Sequence, residues 1–200
     1  MKGTNDLLWI NFNHDQSLIS LGTKYGCRIY SISNTIKCLF ARESKDLGIV
    51  QLQNSNLLLL TGASHRFPPN KLSIYDIKES VSLLEIEFKS KILNVHWRKS
   101  WLIVILQDLV YVYIIDENPR KLFMFETFIN PEGVADLSFH ETGLLAIPGR
   151  NAGQVQIVKL LDSQSVPISL IVAHSSSIIC LKLSKSGKLL ATASEKGTLI

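Results

Sequence analysis

Two hundred residues, 46% of them hydrophobic and 19% charged, suffice for a sizeable core and are too apolar for a disordered chain. The net charge of +4 is scattered over separate lysines such as Lys24, Lys71, Lys121 and Lys188. No basic block or interleaved aromatic stripe points to nucleic acid, which is excluded as a partner.

Taken in chain order, one pattern keeps returning: an apolar run, a tight turn, then an alternating strand. The copies begin at Gly26-Cys-Arg-Ile-Tyr30, Asn70-Lys-Leu-Ser-Ile-Tyr75, Asp108-Leu-Val-Tyr-Val-Tyr113, Gly153-Gln-Val-Gln-Ile-Val158 and Gly197-Thr-Leu-Ile200. Their turn residues lie 44, 38, 45 and 44 positions apart. A period of ~40–45 residues holding several strands is that of a β-propeller blade. The spacing therefore predicts an all-β, WD-repeat-like β-propeller of about four and a half blades, with segments at about 5–40, 41–80, 81–120, 121–163 and 164–200. The last segment is incomplete at Ile200, and a propeller left open there exposes strand edges. The most apolar stretch, 101–106 and 109–115, is interrupted by Gln107 and Asp108. It falls short of the ~20 apolar residues of a spanning helix and is rich in β-branched and aromatic residues, so a hairpin is expected.

Residues that could carry chemistry are scattered. His14, His65, His96, His140 and His174 never pair at the helical spacing of a zinc-protease motif. There is no Gly-x-Ser-x-Gly elbow for a serine nucleophile. The segment 149–153 resembles a phosphate loop but lacks its Lys-Ser/Thr. The chain thus reads as a non-enzyme with no metal and no cofactor. Cys27, Cys38 and Cys180 are odd in number and never spaced as CxxC; two of them sit in apolar strand-like settings, so buried thiols in a reducing compartment are expected.

Several runs together resemble one family. They are Phe12-Asn-His-Asp15 with Leu21-Gly-Thr23, the loop Phe67-Pro-Pro-Asn-Lys71, the segment Leu145-Ala-Ile-Pro-Gly-Arg150, and Ala173-His174 with Leu190-Ala-Thr-Ala-Ser-Glu-Lys-Gly-Thr198. The chain is similar, over essentially all its residues, to the PROPPIN or WIPI family of phosphoinositide-binding β-propellers. The resemblance implies a seven-bladed propeller that recognises phosphatidylinositol 3-phosphate and 3,5-bisphosphate membranes as a non-enzymatic effector and scaffold of autophagosome formation. It implies a cytoplasmic protein, peripheral on phagophore (preautophagosomal), endosomal or vacuolar membranes.

By motif position, His174, Ser194 and Thr198 match one side of the family's first lipid groove, and Lys196 stands between the last two. The family's Phe-Arg-Arg-Gly motif, whose arginines face the grooves, does not occur in this sequence. The alternative is therefore a protein-interaction scaffold without lipid binding. His174 also fits an internal hydrogen-bond network, and Ser194 a strand turn. For a protein partner, the resemblance implies that Asn13 and Asp15 dock the lipid-transfer protein of autophagy. The loop carrying Arg66, Phe67 and Lys71 is a second candidate surface, with Phe67 expected to be exposed. Asn13 and Asp15 read equally as turn formers that bond their own backbone.

Overall fold

The computed structural model describes residues 6–13, 16–32, 35–44, 46–53, 56–138, 143–161 and 164–197. Among the described residues there are 18 strands and no helix. Strands β1 (Leu7–Phe12), β2 (Leu18–Thr23), β3 (Gly26–Ile32) and β4 (Ile36–Glu43) form the first sheet in sequence order. β5 (Leu47–Leu52), β6 (Leu57–Gly62), β7 (Lys71–Asp76) and β8 (Val81–Glu87) form the second. The third holds β9 (Asn94–Arg98), β10 (Trp101–Ile105), β11 (Leu109–Ile114) and β12 (Arg120–Glu126). The fourth holds β13 (Asp136–Leu137), β14 (Leu144–Pro148), β15 (Gln154–Leu160) and β16 (Ser165–Val172), and β17 (Ile178–Leu183) pairs with β18 (Leu190–Ser194). Every neighbouring pair is antiparallel. These are propeller blades, four of four strands and one represented by two strands.

The recurring turn has one structural meaning. It joins the second and third strands of each sheet, and it follows β18 in the last. Three of the five turn residues are glycines at positive φ: +140° at Gly26, +73° at Gly153 and +64° at Gly197. That backbone region is cheap only for glycine. The expected hairpin is β10–β11, with Trp101 opposite Ile114 and Ile105 opposite Val110. The sheets themselves are offset from the expected segments. Each closes on its fourth strand at residues 43, 87, 126 and 172, rather than at 40, 80, 120 and 163. The reason is physical: the fourth strand continues the hairpin of the third and pairs with nothing that follows it.

Burial separates the strands by position. The second strands β6, β10 and β14 are almost wholly buried, as their predominantly apolar sequences require. The fourth strands β4, β8 and β16 are mostly exposed. Two compact units divide the chain, Met1–Ile92 and Leu93–Ile200.

In the first unit, Ile29 and Cys27 pack with Leu47, Val50, Leu58 and Leu60. The buried Ser20 hydroxyl donates to the Val50 carbonyl at 2.7 Å, tying the first sheet to the second. At Gly22 the two sheets come so close that a Cβ would sit 2.1 Å from the Gly48 carbonyl oxygen. In the second unit, Ile103, Ile105, Val110 and Val112 meet Leu137, Leu145, Ile147 and Val158. A separate cluster seats Ile178, Leu181 and Leu183 against Ala146, Val155 and Ile157.

Only Cys27 of the three cysteines is buried, and burial pushes its thiol up to about 11. Cys38 and Cys180 are exposed, against the expectation of buried thiols, because one lies on the edge strand β4 and the other on the open side of β17.

Candidate anion site at the β16–β18 end

The turn at 151–153 builds this site. The Gly153 carbonyl accepts the backbone N–H groups of Ala173 at 2.9 Å and His174 at 3.1 Å. A Cβ on Gly153 would lie 1.8 Å from the His174 carbonyl oxygen, so only glycine lets the chain leaving β16 pass so near. The connection 173–177 is thereby laid beside the end of β18. There His174 Nε2 meets the Thr192 hydroxyl at 2.9 Å, and Glu195 donates its N–H to the Ser177 carbonyl at 2.9 Å.

His174, through Thr192, and Lys196, through Ser175, both reach this end, and Ser194 closes β18 between Thr192 and Lys196. Ser194 is buried, and its carbonyl accepts the Gly197 N–H at 2.9 Å to close the turn that exposes Lys196. Lys196 Nζ donates to the Ser175 hydroxyl at 3.3 Å. Thr198, the fourth expected residue, lies outside the described residues. Three hydroxyl residues that the motif comparison missed belong to the same place: Thr192, Ser175 and Ser176. The Ser176 Oγ is buried with no protein partner among the described residues. The run of serines at 175–177 beside His174 was the available signal. The arrangement offers hydroxyls, an imidazole and one ammonium, a set suited to oxyanions.

The residues expected at a protein partner are dispersed. Asn13 spends its side chain on its own turn, accepting the Leu18 N–H at 2.9 Å and reaching the Ser17 hydroxyl at 3.3 Å. Asp15 lies outside the described residues. In the loop after β6, Arg66 is exposed, but Phe67 packs half-buried on the core of the first unit and is not the expected exposed aromatic. Gly62 explains this, since a Cβ there would strike the Phe67 backbone and ring. Lys71 pairs with Glu85 across β7 and β8.

Comparison with known proteins matches the PROPPIN family model to residues 6–200. SVP1-like protein 2 of Pichia angusta is 36% identical, covering 94% of this chain and 55% of its own length. Autophagy-related protein 18e of Arabidopsis thaliana is 34% identical over all of this chain and 53% of its own. The chain thus spans about half the length of these relatives. Among solved structures, the complex of KlAtg21 with the coiled coil of AgAtg16 superposes with a TM-score of 0.80 at 23% identity, covering 96% of this chain and 64% of that one. That likeness speaks for the fold. By the extent of the family match and the identity to its relatives, this chain belongs to the PROPPIN family.

Proposed function

We propose that the chain is part of a non-enzymatic effector and scaffold of autophagosome formation that recognises phosphatidylinositol 3-phosphate and 3,5-bisphosphate. Its place of action is the cytoplasmic face of phagophore, endosomal or vacuolar membranes. The observation that carries the reading is that His174 and Lys196 are both held at one end of the β17–β18 pair by Thr192 and Ser175, beside a Ser176 hydroxyl that has no partner among the described residues. A relative named for autophagy supports the process. The neighbouring KlAtg21 complex supports coiled-coil binding as one scaffold task. Docking of the autophagy lipid-transfer protein on the early blades, at Asn13, Asp15 and the exposed Arg66, is part of the same proposal.

One observation favours the scaffold alternative for this chain by itself. The cluster holds a single ammonium, and its histidine is engaged with Thr192. A multiply charged head group needs several cations, arginine forks above all.

Co-sedimentation with vesicles containing phosphatidylinositol 3-phosphate, against vesicles of unphosphorylated phosphatidylinositol, separates the two. The effector reading expects 3-phosphate-dependent binding, weakened about tenfold when His174→Ala and Lys196→Ala are combined, the loss of two contacts near 0.7 kcal/mol each. Equal binding to both vesicles, or none to either, supports the scaffold reading.

A further inference from the structure

The first unit holds a small cavity of about 240 Å³ between β4 and the pair β7–β8, far in sequence from the His174 cluster. Arg42 and Ser44 face it from one side, and Ser73, Tyr75, Ser82 and Glu85 from the other. The Arg42 guanidinium carbon lies over the Tyr75 ring, 4.0 Å from its centroid, a cation–π contact that holds the group at the cavity it lines. Among the described residues Arg42 has no carboxylate partner. Glu85, the one carboxylate lining the cavity, is already paired with Lys71. The Ser73 and Ser82 hydroxyls lie 2.8 Å apart. One proton serves that bond, and the second hydroxyl proton remains free to donate.

We infer that the Arg42–Tyr75 cavity is a docking pocket for the carboxylate of one acidic side chain on a partner polypeptide. Charge and volume select this occupant. Arg42 supplies one uncompensated positive charge, which matches a carboxylate. A phosphate dianion would leave its second charge beside Glu85. The volume of about 240 Å³ is below the ~300–1,000 Å³ of ordinary small-ligand pockets, yet ample for an Asp or Glu side chain. A guanidinium fork takes both oxygens of a carboxylate in parallel bonds, and the free serine proton adds a third donor. The inference stands apart from lipid recognition and needs none of its residues.

The test is an NMR titration of the ¹⁵N-labelled protein with the acetylated, amidated peptide Ala-Glu-Ala, with Ala-Gln-Ala and Ala-phosphoSer-Ala as comparators. The expected result is saturable shifts at the Arg42 side-chain N–H and the backbone amides of Ser44, Ser73 and Ser82. Binding of the Gln peptide should be about tenfold weaker, as loss of a charge-assisted pair implies. R42K keeps charge and stem but loses the fork, and should weaken binding about fivefold. S82A, at an exposed position of an edge strand, should weaken it about threefold with folding intact. Equal shifts with Glu and Gln peptides, no shifts at these groups, or tighter binding of the phosphoserine peptide would each overturn the inference.

Discussion

At the scale of single residues, Asp136 is the side chain on which most depends. It is 1% exposed, yet its carboxylate accepts from Lys182 Nζ at 2.9 Å and the Leu183 N–H at 2.8 Å, with Arg98 3.9 Å away. Lys182 is mostly in water, so its ion pair contributes little; the Leu183 amide and the largely buried Arg98 lose more when the carboxylate goes. Asp136→Ala should therefore destabilise the second unit by about 2–3 kcal/mol, read from urea unfolding. His96 lies beside this network and bonds the Ala135 carbonyl at 2.9 Å through Nε2. Burial lowers its pKa from 6.5 to about 4, against the pull of Asp136 and with help from the charges of Lys182 and Arg98.

Between those two values the unfolded chain holds a proton that the folded chain refuses. Stability from neutral His96 is complete above about pH 6.5 and is lost as pH falls towards 4. His96 as a residue is only half-buried, so the loss is on the order of 2 kcal/mol. His96→Gln should flatten unfolding free energy across that pH window; an unchanged slope would assign it to other groups. None of this was legible in the sequence. Asp136 and Leu183 are 47 positions apart, and only the stacking of sheets in the second unit brings them together.

At the scale of elements, the turn at 151–153 and the edge strand β16 behave oppositely under mutation. Gly153→Ala forces a Cβ into the His174 carbonyl and a side chain into φ +73°, and should cost about 2 kcal/mol or more in thermal unfolding. It should also displace His174 from Thr192, lowering vesicle binding where that binding exists. On β16, Ile168 and Leu170 are 54% and 59% exposed, beside an open groove shared with Met124 and Arg150. Lysine at both positions should raise solubility with stability changed by about 0.5 kcal/mol or less.

The strands beside each recurring turn were legible because glycine, asparagine or aspartate marks the turn and apolar runs mark the buried strands. The blade boundaries were not. β4, β8, β12 and β16 carry a sequence that could begin a sheet as readily as end one, and pairing alone assigns them. Of the candidate anion-site residues, His174 and Ser194 were named by motif position and Lys196 because it stands between Ser194 and Thr198. Ser175, Ser176 and Thr192 acquire their place only from the Gly153 turn and the β17–β18 register.

At the scale of the whole molecule, a net charge of +4 spread over the surface attracts any anionic membrane weakly. Such attraction fades with ionic strength as charges are screened within ~8 Å at 0.15 M salt. Binding to phosphatidylserine vesicles should therefore vanish between about 0.05 and 0.5 M salt. Binding to 3-phosphate vesicles at equal surface charge should persist further if the β16–β18 end makes specific contacts. Parallel salt curves for the two lipids would leave only the diffuse charge. The proposed carboxylate pocket and the candidate oxyanion cluster belong to different units, so substitutions at Arg42 and at Lys196 test the two proposals separately.

The unequal burial of the thiols gives the chain an internal clock. Cys38 and Cys180 stand in solvent and should alkylate at once, whereas Cys27 has almost no surface and a proton held up to about pH 11. A third equivalent of reagent can enter only when β3 parts from its neighbours. The lag between the second and third labels therefore times the opening of the first sheet in an otherwise unmodified molecule, without a probe having to be introduced.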